Sequence, residues 1–313
     1  MGAILVIRLG ALGDFVQSFG PFAAIRAHHP GARIVLLTTP PFADLARRSP
    51  WFDEVWPEGR PAWHDPRAVL ALRRWLRAAR FDRVYDLQTS GRSSRYRWLV
   101  GRRVEWSGVA GGASHPHDNP GRDALHTVER QREQLEAAGI ARFPVPALAW
   151  LDADLSAFAL PPDFALLVPG ASPQRPGKRW PALRFAEFAR DCAQNWALPC
   201  VVLGGPAELA LAEGIARQAP GGISLAGRTG FAEIAALARR ARFALGNDTG
   251  PTHLIAAAGC PTLALFGGDS DPALCAPRGP AVAVLRHVPL SALGPDAVRA
   301  ALAGVMPPDR PMG

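Results

Sequence analysis

The chain has 313 residues, 48% of them hydrophobic, and a formal net charge of +8; this length and apolar content suffice for two globular cores. Its four cysteines are spread along the sequence without a C-x-x-C pair, so neither a zinc knuckle nor a disulfide framework is indicated, and a reducing cytoplasm fits. The longest uncharged run, at 254–268, is short and interrupted by Gly259 and Pro261, so we expect no transmembrane helix. The apolar N-terminus carries Arg8 and Asp14 and no cleavage pattern, so we expect no signal peptide.

The first half of the chain alternates between predicted strands and helices. Strands are predicted at 3–7, 33–38 and 83–87, and helices at 15–28, from 43, at 69–80 and at 125–138. This alternation predicts a parallel sheet, whose ligands collect at the carboxyl ends of the strands. Gly10 and Gly13 lie between the first strand and helix and predict a glycine-rich turn that another molecule approaches closely. A turn is predicted at 88–94, and we therefore expect Asp14 and the loop at 88–95 to share one mouth.

A proline-rich segment interrupts this pattern, and a second α/β unit follows it. We expect domains at 1–150 and 163–313, joined by a linker at about 143–162. In the second domain, strands are predicted at 164–168, 199–203, 222–225, 243–246 and 262–266, and helices at 183–196, 231–240 and 252–258.

The turn at residues 247–250 is the strongest candidate for an anion site. Pro251 suits the first turn of a helix, with Thr249 or Gly250 as the cap. The free N–H groups and positive dipole end of such a helix attract anions, and Gly250 permits close approach. An ordinary crossover whose polar turn binds nothing is the alternative.

Positive charge is concentrated in the first half of the chain. Residues 1–150 contain 21 arginines and 14 acidic residues, whereas residues 151–313 contain 14 basic and 13 acidic residues. Two clusters stand out: Arg73, Arg74, Arg77 and Arg80, and Arg92, Arg95, Arg97, Arg102 and Arg103. Such clusters suit a partner with phosphates or carboxylates, or they reflect an arginine-rich sequence on solvated faces. No nucleic-acid-binding motif accompanies them.

Lys178 is the only lysine in the chain, beside 34 arginines. A compact ammonium differs physically from a planar guanidinium, so a phosphate contact would explain the lysine, with chance retention as the alternative. Two sets of residues have metal-site spacing. His115, His117 and Asp118 are interpreted as a solvated loop, and Asp152-Ala153-Asp154 as capping carboxylates at a helix start.

Six motifs in order resemble glycosyltransferase family 9, the heptosyltransferases of lipopolysaccharide core synthesis. They cover nearly the whole chain, and the last is the most specific: RLGALGD at 8–14, DLQ with a Ser/Arg turn at 86–95, PGAS with KRWP at 169–181, GGPAE at 204–208, LAGRTG at 225–230, and GNDTGPTHLIAAAGCPTLALFG at 246–267. The resemblance implies an α/β protein of the GT-B class, with two Rossmann-like, doubly wound parallel-sheet domains facing across a cleft. The first domain would bind the acceptor and the second the nucleotide-sugar donor.

The resemblance also implies roles for individual residues. Asp14 would be the general base of an inverting, metal-independent transfer, and Lys178 with the helix start at Thr249 and Gly250 would stabilise the ADP leaving group. The remaining donor contacts would be Ser172, Glu208, Thr229, Asp248 and His253. The acceptor contacts would be Gly13, Gln88, Arg92 and Ser93.

The implied reaction moves heptose from ADP-heptose to an inner-core lipopolysaccharide acceptor, a lipid A precursor that carries Kdo or heptose. No cofactor or metal is expected, and the enzyme would be cytoplasmic, at the inner face of the inner membrane. The alternatives are another nucleotide sugar, a protein acceptor, or a nucleotide-sugar-binding subunit without turnover.

Overall fold

The computed structural model describes residues 2–101 and 103–306. The chain divides into two compact units between Trp150 and Leu151, inside the segment predicted to be a linker. Residues 141–164, all of which are described, contain neither a helix nor a strand. Each unit contains one six-stranded sheet. Arg102 of the second arginine cluster lies outside the described residues.

Unit 1 (residues 1–150) is built on a sheet with the strand order β3-β2-β1-β4-β5-β6, and all of its strand pairs are parallel. The strands are β1 (Ala3–Ile7), β2 (Arg33–Leu37), β3 (Glu54–Trp56), β4 (Arg83–Asp86), β5 (Glu105–Gly108) and β6 (His115–Pro116). The helices are α1 (Leu12–Val16), α2 (Phe19–His28), α3 (Pro40–Arg48), α4 (Pro66–Ala78), α5 (Gly91–Val100) and α6 (Thr127–Ala137).

The order of these strands reverses between β1 and β4, which are neighbours in the sheet. Loops that leave the two strands therefore diverge and open a crevice at their carboxyl ends. Crossovers between parallel strands are right-handed, so helices α1 to α3 cover one face of the sheet, and α4 and α5 cover the other. Leu72 and Leu76 of α4 and Tyr96 and Val100 of α5 pack on that second face.

Unit 2 (residues 151–313) repeats this architecture with the strand order β12-β11-β10-β7-β8-β9, again with parallel pairs throughout. Its strands are β7 (Ala165–Val168), β8 (Cys200–Val202), β9 (Ile223–Ser224), β10 (Ala244–Asn247), β11 (Thr262–Phe266) and β12 (Val282–Arg286). Its helices are α7 (Ala182–Trp196), α8 (Leu209–Ala216), α9 (Phe231–Arg240), α10 (Gly250–Ala257), α11 (Pro272–Cys275) and α12 (Pro295–Ala303). The order reverses between β7 and β10, whose loops carry the PGAS and NDTG motifs.

The helix predicted at 15–28 is two helices, because the chain bends after Val16. Ser18 donates from its Oγ to the carbonyl oxygen of Asp14 at 2.8 Å, and the same Oγ lies 2.7 Å from Gln131 Oε1. A serine that bonds back to the carbonyl four residues earlier bends a helix. Asp14 itself lies inside α1, so the predicted turn through residue 14 is wrong at its end, and the turn closes at residue 11.

Helix α5 was predicted as part of a turn at residues 88–94, and this prediction is wrong beyond Ser90. Ser90 and Ser93 form a capping box at the start of α5, and two serines spaced this way are a common helix-start signal. Strands β3, β5, β6 and β12 were not predicted either. Three of them have four residues or fewer, which is too short for an alternating pattern to emerge.

The predicted helix start at Asp152 is also wrong, because residues 150–158 contain no helix. Asp152 instead pairs with Arg239 at 2.6 Å, and Asp154 accepts hydrogen bonds from the N–H and Oγ of Ser156. Within the described residues, no helix has the length and apolar character needed to cross a bilayer.

Replacing Gly246 by alanine is expected to destabilise unit 2. A Cβ at this position of β10 would lie 2.4 Å from Thr252 Oγ1 and 2.9 Å from Val168 Cβ, and such overpacking typically costs about 1–3 kcal/mol. Urea unfolding followed by circular dichroism measures the change. Gly214 of α8 is the control because a Cβ there meets nothing within 4 Å, so Gly214→Ala is expected to stabilise by about 0.5–1 kcal/mol. A Gly246→Ala variant with the wild-type unfolding midpoint would contradict this prediction.

Candidate active site

A polar cavity lies at the carboxyl ends of β1 and β4, where the strand order of unit 1 reverses. Its volume is about 290 Å³, and its lining consists of Arg8, Asp14, Leu87, Gln88, Thr89, Arg122, Asp123, Thr127, Arg130, Gln131 and Gln134. The prediction that Asp14 and the loop at 88–95 share one mouth is confirmed for Gln88 and Thr89.

Arg8 fixes the main chain on both sides of this cavity. The residue is 4% exposed, and its Nη1 donates to the carbonyl oxygen of Leu87 at 2.5 Å. Its Nη2 donates to the carbonyl oxygen of Asp14 at 2.9 Å and lies 3.5 Å from Asp14 Oδ1. The Asp14 side chain nevertheless stays 44% exposed, so a buried guanidinium orients a carboxylate that a ligand can still reach.

Asp86 and Gln88 of the DLQ motif rigidify the same edge. Asp86 is buried, and its Oδ1 accepts hydrogen bonds from the N–H groups of Gln88 and Thr89 at 3.2 Å and 3.1 Å. Burial raises the pKa of Asp86 to about 7, although these hydrogen bonds oppose the change. Gln88 Oε1 accepts from the N–H of Leu9 at 2.8 Å, so its amide nitrogen is the group left to face the cavity.

Two further arginines of the lining were missed by the sequence reasoning. Arg122 and Arg130 both approach Asp123, at 2.8 Å and 3.3 Å. With Arg8, the cavity thus combines three guanidinium groups with two carboxylates. A signal was present in the sequence, since Thr127, Gln131 and Gln134 are buried polar residues with helical spacing on α6, a pattern that an ordinary apolar core helix lacks.

The four predicted acceptor residues do not all lie in this cavity. Gly13 is next to Asp14 in α1, and Gln88 lines the cavity. Ser93 is fully buried in the capping box. Arg92 donates to the carbonyl oxygen of Pro61 at 2.8 Å and lies over the Trp63 ring. For Arg92 and Ser93, the contact with an acceptor stays a prediction.

In unit 2, the predicted residues Lys178, Asp248 and His253 form one buried network. Lys178 Nζ lies 2.5 Å from Asp248 Oδ2, and the two side chains are 12% and 4% exposed. The Nε2 of His253 lies 3.3 Å from Asp248 Oδ1. Burial alone would raise the pKa of Asp248, but the hydrogen bonds from His253 and Lys178 and the attraction to Lys178 outweigh it and lower this pKa to about 2.

Asn247 positions the loop that carries Lys178. This buried side chain donates from Nδ2 to the carbonyl oxygen of Pro169 at 2.8 Å and accepts at Oδ1 from the N–H of Trp180 at 3.1 Å. The same loop is held at a second point, because the Gly177 N–H donates to Asp269 Oδ2 at 2.8 Å. A buried amide that bonds at both ends is strongly oriented, and the loop therefore lies against the start of α10.

The start of α10 has the features of an anion site. Thr249 is the N-cap, as expected, but its side chain makes no capping hydrogen bond. The first N–H groups of a helix have no partner within the helix, so here they remain available to a ligand. Ser172 is exposed at the end of the neighbouring loop, where its Oγ donates to Gln174 Oε1 at 2.6 Å.

Glu208 lies beside the same loop, one strand further along the sheet. Its Oε2 accepts from the N–H of Gly205 at 2.6 Å, and a Cβ on Gly170 would come within 2.9 Å of its Oε1. Glycine at position 170 therefore lets the carboxylate reach the carboxyl edge of β7. Thr229 is half-buried in the loop after β9, at the same edge.

The sequence model of glycosyltransferase family 9 (heptosyltransferase) matches residues 69–293. The chain belongs to glycosyltransferase family 9. Among curated proteins, lipopolysaccharide heptosyltransferase 3 of Escherichia coli (strain K12) is 25% identical over 277 residues, 82% of this chain and 79% of that protein. This family 9 protein is therefore a glycosyltransferase.

Solved structures share the fold of this family 9 enzyme. The glycosyl transferase family 9 from Veillonella parvula DSM 2008 has a TM-score of 0.80 at 21% identity, covering 96% of both chains. The E. coli heptosyltransferase WaaC with ADP has a TM-score of 0.73 at 22% identity, covering 95% of this chain and 98% of that one. Together with the two parallel sheets, this similarity confirms the expected GT-B fold class.

The described residues contain no group of three or more His, Cys, Asp and Glu side chains placed to hold a metal ion. His117, one of the residues with metal-site spacing, is buried at 3.4 Å from Glu133. His115 lies 3.8 Å from Glu105. The solvated-loop interpretation is therefore wrong for His117, which packs against α6.

Replacing Asp248 by asparagine is expected to destabilise unit 2 in a pH-dependent way. The pKa of Asp248 is lowered from 3.8 to about 2, which corresponds to about 2 kcal/mol of stability from the ionised form. A lowered pKa stabilises the fold above the unfolded-state value, and this stabilisation is lost as the pH falls towards the folded-state value. The loss in Asp248→Asn should therefore be full near pH 6 and about half near pH 3.

Urea unfolding across this pH range measures the effect. Asp163 is the control, because it is an exposed carboxylate 3.7 Å from Arg242, and Asp163→Asn is expected to change the free energy of unfolding by less than about 1 kcal/mol. A deficit of Asp248→Asn that stays constant with pH would contradict the prediction.

Proposed function

We propose that this enzyme transfers heptose from ADP-heptose to an inner-core lipopolysaccharide acceptor, a lipid A precursor that carries Kdo or heptose. The observation that carries the proposal is the exposed Asp14 carboxylate, held by buried Arg8 at the lip of a cavity rich in arginine. The names of the relatives support the choice of sugar and pathway, since one is a lipopolysaccharide heptosyltransferase and another was solved with ADP.

In the proposed mechanism, Asp14 is the general base. Its carboxylate removes the proton from the acceptor hydroxyl while that oxygen attacks the anomeric carbon of the heptose. The bond between this carbon and the donor diphosphate breaks on the opposite face, so the configuration inverts and ADP leaves with the bonding electron pair. Arg8 is the positioning residue, because its Nη2 binds the Asp14 main chain and lies beside the carboxylate.

The donor is proposed to bind at the carboxyl edge of the sheet in unit 2. Lys178 carries three N–H donors, of which the contact with Asp248 engages one, so two remain for the diphosphate. The open N–H groups at Thr249 and Gly250 and the Ser172 hydroxyl add to the stabilisation of the leaving group. Glu208 is proposed to hold donor hydroxyls and Thr229 the adenine edge, while Asp248 and His253 orient Lys178.

The acceptor is proposed to enter the cavity of unit 1. Carboxylates and phosphates of a lipopolysaccharide precursor suit the guanidinium groups of Arg122 and Arg130, which bind anions in a bidentate way. Gly13, Gln88, Arg92 and Ser93 complete the proposed acceptor contacts. Because the acceptor is a lipid, the enzyme is proposed to work at the cytoplasmic face of the inner membrane.

The test of this proposal is Asp14→Asn. The variant should lose transfer by at least about a hundredfold, because a general base contributes about 10²–10⁴ in rate, while calorimetric titration should show unchanged ADP affinity. Transfer by Asp14→Asn at the wild-type rate would overturn the assignment of the base.

The donor is tested by titrating the wild-type protein with ADP, UDP, GDP and CMP, and the protein should bind ADP most tightly. Tighter binding of UDP or GDP would mean that the donor is a different nucleotide sugar. If none of the four nucleotides binds, the protein would instead be a subunit without turnover.

Replacing Arg130 by glutamine is expected to raise the KM for the acceptor by about ten- to a hundredfold, because a charge-assisted hydrogen bond contributes about 1.5–3 kcal/mol. The kcat at saturating acceptor should stay close to wild type. Arg132 is the matched control on the same helix, where it is exposed and pairs with Glu136. Steady-state kinetics of Arg130→Gln and Arg132→Gln measure the KM for the acceptor in the site variant and in the control. An equal KM for both variants would exclude Arg130 from the acceptor site.

A further inference from the structure

Helices α4 and α5 lie side by side over one face of the unit 1 sheet. Their inner sides pack on a common core that contains Leu72, Leu76, Tyr96 and Val100. Arg77 of α4 links the two helices, because its Nε donates to the carbonyl oxygen of Leu99 at 3.2 Å. Their outer sides therefore form one continuous surface.

This surface combines exposed apolar side chains with arginine. Leu70 of α4 is 41% exposed, and Trp98 of α5 is 60% exposed. Around them, Arg73, Arg74 and Arg95 are also exposed. We name these five residues the α4–α5 surface. Trp75, on the flank of α4, is 44% exposed and adds further apolar area.

The charge of the two helices is of one sign. Together α4 and α5 contain seven arginines and neither aspartate nor glutamate. Helices α3 and α6 of this unit carry both signs: Arg48 of α3 pairs with Asp44, and Arg132 of α6 pairs with Glu136. The run of arginines without a carboxylate thus distinguishes α4 and α5 from these two helices.

Exposed tryptophan and leucine beside arginines on two helices without carboxylates match one chemical environment well. Tryptophan is enriched where a bilayer meets water, since its ring is apolar and its N–H is polar. Arginines next to such residues are attracted to anionic headgroups. A nucleic acid would account for the arginines but gives no reason for the exposed leucine. An acidic protein would account for both, and the vesicle experiment below decides against it if the lipid alone is bound.

We propose that the α4–α5 surface docks this enzyme on an anionic lipid bilayer. The inference rests on the proposed function in one respect, that the acceptor is itself a lipid. Trp98 and Leu70 enter the headgroup region, and Arg73, Arg74 and Arg95 bind lipid phosphates. The site residues of unit 1 stay free for the acceptor, because none of the five residues of the α4–α5 surface lines the cavity around Asp14.

Vesicle sedimentation with the full chain tests this proposal without donor or acceptor. The wild-type protein should bind vesicles of phosphatidylcholine mixed with phosphatidylglycerol, and bind pure phosphatidylcholine vesicles weakly. Arg73→Gln combined with Arg74→Gln should lower the partition coefficient about 25-fold, since each arginine near an anionic surface contributes about fivefold. Leu70→Ser combined with Trp98→Ser should remove the binding that persists at high salt.

Two control variants replace exposed arginines and an exposed leucine outside the α4–α5 surface. Arg47→Gln with Arg48→Gln removes two exposed neighbouring arginines from α3, on the other face of the same sheet, and should change the partition coefficient less than about twofold. Leu183→Ser removes a leucine of α7 that is 59% exposed and should leave binding at high salt unchanged.

Three results would overturn the proposal: absence of binding to the anionic vesicles, equal losses in the α3 control, or equal losses in Leu183→Ser. Transfer to a deacylated, water-soluble acceptor should be unchanged in all these variants, which shows that they are folded. If the proposed transfer reaction were itself wrong, that assay would fail for the wild-type protein too, and vesicle binding would still decide the docking surface.

Discussion

In both units, a buried polar side chain at the end of one central strand binds the main chain at the end of the neighbouring central strand. Arg8 follows β1 and donates to Leu87 after β4. Asn247 ends β10 and donates to Pro169 after β7. Each bond crosses the point where the strand order reverses and the loops would otherwise diverge. An unpaired buried polar group costs about 1–3 kcal/mol, so these two side chains impose the loop geometry on which the candidate site depends.

The electrostatics of the two edges differ. In unit 1, three arginines and two aspartates line an open cavity, and the positive excess is left for a ligand. In unit 2, Lys178 and Asp248 compensate each other at 2.5 Å, so anion binding there relies more on the uncapped start of α10. This division suits the proposed binding of an anionic acceptor with several charges in the first unit and of a single diphosphate in the second.

The sequence predicted the central strands well because they are short apolar runs bounded by turn residues. The strands Ala3–Ile7 and Thr262–Phe266 have the predicted bounds, and so does the helix Phe231–Arg240. The hydroxyl of Ser18, where the first predicted helix breaks, also contacts Gln131, which is 113 positions away in the chain, and no local pattern reveals that contact. Helix α5 was missed because arginines and serines fill its surface and only Ser93, Tyr96 and Val100 are buried.

The candidate site was predicted from motifs, and its supporting residues were not. Asp14, Lys178 and Asp248 stand next to glycine-rich turns, where close approach of a ligand is readable from the sequence. Arg122 and Arg130 belong to a loop and a helix that reach the cavity only through the packing of α6 against α2, and sequence spacing carries no information about that contact. Tertiary packing therefore decides which of the many arginines near Asp14 line the cavity.

The single lysine is best understood from its contact with Asp248. An ammonium group can donate to Asp248 and still direct its other N–H groups elsewhere. A guanidinium at this position would favour a planar, bidentate pair with the carboxylate. Two of its N–H groups would then be bound to Asp248. The low pKa of Asp248, about 2, keeps this carboxylate ionised over the neutral range. Among the residues that the structure describes, the Lys178 ammonium therefore has Asp248 as its one hydrogen-bond partner, and its other N–H groups lie beside the start of α10.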